Sequence, residues 1–326
     1  MNNDFHTDKV LERLGISLMA AGALLLVSFC VWNILPVKSQ QANVAEIAAI
    51  PIVRPKNTRA WADLSVTAKS VLVVDTRDHE ILFAKNEEQQ LPLASITKVM
   101  SAITAKALSS AGEPPIIVTK QALTEDGDYG LRPEEKWKLN DLLKFSLVVS
   151  SNDGMRAIAS VIGSQSGTQE HTARKRFVDA MNTFAQSLGL SQTYFLNESG
   201  LDLSENLGGG YGSARDVAHL FEYAIRLYPD IFGATKQKEV VLVSDSNIKH
   251  LGRNTNTGID MIPHIVASKT GTSLLAGGNV VVAFEPELER RVIIVVLGST
   301  ATGRFEDAAL LAKRTVQYFE DNTVAP

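Results

Sequence analysis

The sequence predicts an α+β fold: one antiparallel sheet contributed by both ends of the globular part, with a helical subdomain between them. Two β-rich runs around "TRDH" in "SVLVVDTRDHEILFAKN" (70–86) read as a hairpin. Three more strand-like segments, "HIVASKTGTS", "NVVVAFEPE" and "RRVIIVVLGS", come near the end of the chain, and amphipathic stretches fill the interval. Joining the two sets of strands into one sheet is the economical way to cover their apolar faces. With 326 residues, 45% hydrophobic and 21% charged, the chain is long enough to bury a substantial core.

Before the globular part, residues 14–35 ("LGISLMAAGALLLVSFCVWNIL") hold no charged side chain and suffice as a helix to cross roughly 30 Å of hydrocarbon. A secretory signal is the competing reading. Its apolar region is usually shorter and closely followed by a small-x-small cleavage site, which "PVKSQQA" matches poorly. The expectation is an uncleaved transmembrane anchor. Lys9 and Arg13 both lie close before it, whereas after it only Lys38 is close and Arg54 and Lys56 are distant, which makes residues 1–13 the expected short cytoplasmic tail. Residues 36–59, with Pro51 and Pro55 and no periodicity, read as a linker. The body, residues 60–322, is then expected on the extracytoplasmic side.

Within the body, "LPLASITKVMSAITAKAL" (91–108) repeats apolar residues at helical spacing through Ile96, Val99, Met100, Ile103 and Ala107. Pro92 just upstream puts Ser95 in or near the first turn, and the three-residue interval brings Lys98 within reach of its hydroxyl. "LNDLLKFSLVV" (139–149) reads as a helix capped by Asn140, followed by the turn-forming "SSNDG" and the helical "MRAIASVIG". "HTARKRFVDAMNTFAQSLGL" and "SARDVAHLFEYAIRLY" are further helices with stops at Gly189 and Pro229, and "RFEDAALLAKRTVQYF" is the last helix. No internal repeat is present.

Net charge is −4 and no long Lys/Arg run occurs, so the footprint of a nucleic-acid binder is missing. The single cysteine, Cys30, lies in the apolar run, which leaves no disulfide or thiol nucleophile for the body. Asp153, His171, His219, His250 and His264 share no metal-ligand spacing, and neither a metal nor another cofactor is expected.

Three short motifs occur in order: Ser95-Ile96-Thr97-Lys98, Ser150-Ser151-Asn152 and Lys269-Thr270-Gly271. Singly each has a bland reading, as a helix cap, a surface lysine or a strand end. Together they form the S-x-x-K, S-x-N, K-T-G set of penicillin-recognising serine enzymes. The chain resembles the serine-type D-alanyl-D-alanine carboxypeptidases, the low-molecular-weight penicillin-binding proteins of peptidase family S11. The resemblance covers roughly residues 65–320 and includes "LASITK", "SSNDG", "FLNESGLD", "SARDVAHL", "SKTGT" and "GRFEDAALL". It implies the β-lactamase/transpeptidase-like fold, with peptidoglycan stem peptides and β-lactams as ligands.

The resemblance also implies roles. Ser95 is the expected nucleophile, and Lys98 the base that takes its proton once desolvation or a positive neighbour lowers its pKa. Lys269 is expected as that second cation and as the attractor of an anionic substrate. Ser150 would relay a proton between Lys98 and the leaving amine, and Asn152 would hold Lys98 and bind substrate backbone. Gly271 would let substrate lie against its strand. The Thr270 and Thr272 hydroxyls would bind a terminal carboxylate, aided by Arg304 at the start of the last helix. The amides of Ser95 and Thr272 would form the oxyanion hole.

Other functions share parts of this pattern. A class A β-lactamase adds an E-x-x-L-N segment whose glutamate activates the deacylating water. The nearest match begins at Glu198, within "LNESGLD", which resembles the carboxypeptidases' own N-x-x-G-L-D, so Glu198 is expected to be structural. DD-endopeptidase action on crosslinks and a non-catalytic penicillin-binding sensor also stand as alternatives. Better-known carboxypeptidases carry a β-rich second domain and a C-terminal amphipathic anchor. No counterpart follows "YFEDNTVAP", which leads to the expectation that anchoring falls to residues 14–35.

Overall fold

The strands expected at the two ends of the body do form one sheet. The structure, a computed structural model, describes residues 59–109, 112–127, 129–164 and 168–323. Residues 1–13, expected as a cytoplasmic tail, the apolar run 14–35 and nearly all of the expected linker lie outside the described residues. Among the described residues, no helix is long and apolar enough to cross a membrane.

Strands β1 (Ser70–Asp75) and β2 (Glu80–Lys85) make the first hairpin, and β3 (Ile265–Ser273), β4 (Gly277–Glu287) and β5 (Arg290–Ser299) supply the rest. The order is β3-β4-β5-β1-β2, every pair antiparallel, with Val73 opposite Ile294 where the chain ends meet. Runs such as Val292–Leu297 are buried without alternation because both faces of the sheet are covered. One face, including Leu72, Val281, Ile293 and Val295, packs on the helical middle. The other, including Val71, Val282 and Ile294, packs on the last helix through Ala308, Leu311 and Ala312.

The helical part contains α1 (Lys98–Leu108), α2 (Leu139–Val149), α3 (Asn152–Ile162), α4 (Glu170–Ser187) and α5 (Ala214–Leu227), and α6 (Gly303–Thr323) closes the fold. Asp307 on α6 accepts from the amides of Thr67 and Ala68, both at 2.9 Å, and from Ser299 Oγ at 2.8 Å, tying the start of the body to its end.

Two local expectations need correction and a third is extended. The single helix over 91–108 is divided: Leu91–Pro92 pair with Tyr211–Gly212, a 3-10 turn covers Ala94–Thr97, and α1 starts at Lys98. Ala94 takes a left-handed φ of 47°, and the backbone there is pressed against Gly200, where a Cβ would stand 1.9 Å from the Ala94 carbonyl oxygen. Asn140 does not cap α2. It lies inside that helix and its Oδ1 accepts from Lys106 Nζ at 2.8 Å, while Lys138 holds the cap position without a side-chain bond. Pro229 follows the end of α5 as expected, yet it also opens a four-residue helix, Pro229–Phe232, because proline at a first helical position loses no bond. A hairpin of Glu239–Val243 with Lys249–Arg253 is an element that the sequence reading did not anticipate.

Candidate active site

Ser95 is presented by the 3-10 turn at the head of α1, and Lys98 is the first residue of the α-helix that follows. The i,i+3 spacing places Lys98 Nζ 2.8 Å from Ser95 Oγ. Two carbonyl oxygens hold the same nitrogen, Asn152 Oδ1 and the Ser199 backbone oxygen, both at 2.7 Å. Lys98 is fully buried, and that desolvation brings its pKa down to about 7, against the opposing charges of Glu198 and Glu125. A neutral amine has two N–H groups and one lone pair. Since both carbonyls can only accept, they take the two N–H groups and leave the lone pair directed at the Ser95 hydroxyl.

The second motif sits at the junction of α2 and α3. Ser150 ends α2 in a left-handed conformation, φ 62° and ψ 35°, which turns the chain sharply. Ser151 then caps α3, its Oγ accepting from the Gly154 amide at 2.9 Å. Asn152 opens α3 beside Lys98, and its Nδ2 donates to the Asp126 carbonyl at 2.7 Å and to Tyr129 Oη at 3.2 Å. The amide orientation is therefore fixed at both ends.

The third motif lies on β3. Lys269, also buried, donates to Ser150 Oγ and to the Thr270 carbonyl, each at 2.9 Å. Burial lowers its pKa well below the ordinary lysine value, with the Lys98 and Arg304 charges adding to the effect. The electrostatic expectation is thus revised: burial, rather than Lys269, dominates the shift at Lys98. Thr270 Oγ1 lies 2.6 Å from Thr255 Oγ1. Arg304, near the start of α6, donates through Nη1 to the Gly271 carbonyl at 2.7 Å and to Thr272 Oγ1. Its guanidinium stands 4.6 Å over the Phe305 ring, and burial lowers its pKa to about 10. Its buried Nε has no hydrogen-bond partner.

Every residue named from the sequence is therefore brought to one place, from four separate parts of the chain. Asn279 on β4 was not singled out. Its Nδ2 donates to the carbonyls of Pro92 and Leu93, at 2.9 and 3.1 Å, and its Oδ1 accepts from the Gly298 amide at 2.8 Å, so it fastens the Ser95 turn to the sheet. Ser199 and Thr255 were likewise missed as partners. Ser199 acts through its carbonyl, which every residue has, and Thr255 carries no local pattern. Glu198, expected to be structural, is buried and paired with Arg174 Nε at 2.8 Å. No cluster of His, Cys, Asp or Glu able to hold a metal ion occurs among the described residues.

The sequence model of the peptidase S11 family, described as D-alanyl-D-alanine carboxypeptidase, matches residues 56–301. The chain belongs to this family. Among curated relatives, this S11 chain is 29% identical over 276 residues to D-alanyl-D-alanine carboxypeptidase DacC of Escherichia coli K12, covering 80% of this chain and 64% of that protein. It is 26% identical over 254 residues to DacB2 of Mycobacterium tuberculosis, covering 74% of this chain and 83% of that protein. The S11 chain thus spans slightly under two thirds of the length of DacC. Its fold matches the Streptomyces K15 DD-transpeptidase with a TM-score of 0.69 at 22% identity, over 79% of this chain and 98% of that one. DacD of Francisella tularensis gives 0.68 at 24%, over 82% and 73%. The α+β architecture is therefore the penicillin-binding, transpeptidase-type fold.

Proposed function

We propose that this S11 chain is a membrane-anchored serine DD-peptidase that removes the terminal D-alanine of peptidoglycan stem peptides through an acyl-enzyme on Ser95. The observation that carries this reading is the buried Lys98 amine, 2.8 Å from Ser95 Oγ, with a pKa near 7. Near neutrality about half of such lysines are unprotonated and able to act as a base.

In this reading the Ser95 hydroxyl passes its proton to Lys98 as Oγ attacks the carbonyl carbon of the penultimate D-alanine. The amides of Ser95 and Thr272 stabilise the oxyanion. Collapse of the tetrahedral intermediate breaks the C–N bond. The proton held on Lys98 reaches the leaving amine through Ser150, whose hydroxyl lies 2.9 Å from Lys269 Nζ. D-Alanine departs, and water then hydrolyses the ester on Ser95. Lys269, Thr270, Thr272 and Arg304 form the cationic and hydroxylic end of the cleft suited to the substrate's terminal carboxylate. Asn152 holds Lys98 through Oδ1, whose second lone pair is left to accept from substrate backbone while Nδ2 is engaged by Asp126 and Tyr129.

The substrate lies outside the cytoplasmic membrane, so the proposal includes residues 14–35 as a single-pass anchor with a cytoplasmic tail of residues 1–13. Residues 36–59 then serve as a linker, and the body works on the extracytoplasmic side. Retention in the membrane fraction after carbonate washing, with digestion of the body by protease added to spheroplasts, is the expected result. A body protected from that protease contradicts the topology.

The activity is tested by incubating the intact, detergent-solubilised protein with a pentapeptide ending in D-Ala-D-Ala and, separately, with a crosslinked muropeptide, products being read by mass spectrometry. Release of one D-alanine from the pentapeptide, absent in Ser95→Ala, is expected. Cleavage of the crosslink alone points to endopeptidase action, and no product from either substrate to a non-catalytic penicillin binder.

A further inference from the structure

Both carbonyls that hold Lys98 belong to an arrangement reaching well behind the cleft. One is the backbone oxygen of Ser199, the residue after Glu198. The other is Asn152 Oδ1, on a side chain fixed by the carbonyl of Asp126, the residue after Glu125. Glu198 therefore sits one position from one anchor of the amine, and Glu125 one position from the residue that fixes the other anchor, in loops far apart in sequence. A single side chain on α4 joins them. Arg174 Nε lies 2.8 Å from Glu198 Oε1, and its Nη2 lies 3.4 Å from Glu125 Oε1.

We propose that Arg174 is a positioning residue: by bridging Glu125 and Glu198 it locks together the two loops that orient the Lys98 amine toward Ser95. The inference rests on the reading of Lys98 as the base. Glu125 is further braced by Arg156 Nη1 at 2.7 Å, and Arg156 Nε holds Glu170 at 2.8 Å, so the clasp is anchored to both α3 and α4. Glu198 is nearly excluded from solvent, and such a carboxylate keeps its charge only with a close cation. Lys98 is bounded electrostatically by Glu198 and Glu125 on this side. Beyond it lie Lys269 and Arg304, the two cations that close the cleft. Arg174 touches neither Ser95 nor Lys98 and acts only through their neighbours.

The proposal separates geometry from charge. Arg174→Gln removes the bridge and, with Glu125 still held by Arg156, leaves Lys98 as the cation on which the buried Glu198 carboxylate depends, a change that favours the ammonium form. Arg174→Lys keeps the charge but loses the two-pronged reach. Arg174→Gln combined with Glu198→Gln removes bridge and charge as a balanced pair. The test uses the full chain in detergent, with the acylation rate constant and the non-covalent dissociation constant for a fluorescent penicillin measured across pH. The Lys98 midpoint is read independently from its 13Cε shift in the free protein.

Arg174→Gln is expected to slow acylation about tenfold or more at neutral pH, to leave the dissociation constant within about twofold, and to move the Lys98 midpoint upward. Arg174→Lys should hold the midpoint near its wild-type value with an intermediate rate. The double variant, in which no buried charge stands alone, should show a low rate with the midpoint restored, and it carries the test if Arg174→Gln fails to fold. Acylation within twofold of wild type in the double variant, or an unmoved Lys98 midpoint in folded Arg174→Gln, overturns the proposal. Wild-type labelling and the 13Cε titration in the same series tell a failure of Arg174's role from a failure of Lys98's.

Discussion

Gly271 faces the backbone of the nucleophile turn: a Cβ at that position would stand 2.6 Å from the Leu93 carbonyl oxygen and 3.2 Å from the Ser95 amide nitrogen. The sequence suggested that the missing side chain leaves room for substrate. The structure gives it a second reason, because the turn that presents Ser95 is itself seated against the strand.

Gly271→Ala is accordingly expected to displace the Ser95 turn, since the atoms its Cβ would meet are backbone atoms and not a flexible side chain that can move aside. Overpacking of this kind costs about 1–3 kcal/mol. Thermal unfolding should show that loss, and penicillin acylation should fall by about tenfold or more because displacement of a nucleophile by a fraction of an ångström is costly. Wild-type stability and acylation together would show that the turn does not depend on this contact.

Acylation should follow the protonation of Lys98. Below its pKa of about 7 the amine carries a proton and cannot accept one from Ser95, so the acylation rate is expected to rise with pH through that value. At alkaline pH it should fall again as Lys269, whose pKa is also lowered, loses the charge that holds an anionic ligand. Stopped-flow labelling with penicillin from pH 5 to 10 measures both limbs. A rate flat between pH 5 and 8 would remove Lys98 from the role of base.

The same burial predicts a stability effect. The pKa of Lys98 is about 7 in the folded chain and near 10.5 in the unfolded one, so between those values the unfolded chain binds more protons. The contribution of Lys98 therefore becomes less unfavourable by about 1.4 kcal/mol for each pH unit as pH rises through this window. Lys98→Met lacks this dependence. Denaturant titrations of both proteins at pH 7 and pH 9 should show wild type gaining about 2–3 kcal/mol relative to the variant. A constant difference between the two would mean that Lys98 is not desolvated.

A penicilloyl adduct on Ser95 should persist for minutes or longer. Deacylation needs a base that delivers water, and the carboxylate nearest to a lactamase's pattern, Glu198, is engaged with Arg174. Mass spectrometry of the adduct over time measures its lifetime. Rapid multiple turnover of penicillin would favour the β-lactamase alternative.

How much of this was legible depended on how local each relation is. Ser95 and Lys98 lie one turn apart, so their contact could be read from spacing. The sheet was readable because β1, β4 and β5 are apolar enough to demand burial on both faces. The division of 91–108 was not readable: the turn with its left-handed Ala94 is seated against Gly200 and Gly271, more than a hundred residues away in sequence. The same holds for Asn279 beneath the Ser95 turn and for Arg174 between its two glutamates. Their roles arise from packing between distant segments and leave no periodic or motif-like trace. The motif set brought Ser150, Asn152 and Lys269 together only through resemblance, since nothing in their spacing to Ser95 fixes proximity.

The most direct test of the account is peptide mapping by mass spectrometry after brief exposure of the wild-type, Ser95→Ala and Lys98→Ala proteins to penicillin. One adduct is expected in the wild type, located on Ser95, none in Ser95→Ala, and a severely reduced amount in a folded Lys98→Ala. An adduct that persists in Ser95→Ala, or one that forms at the wild-type rate without Lys98, would contradict it.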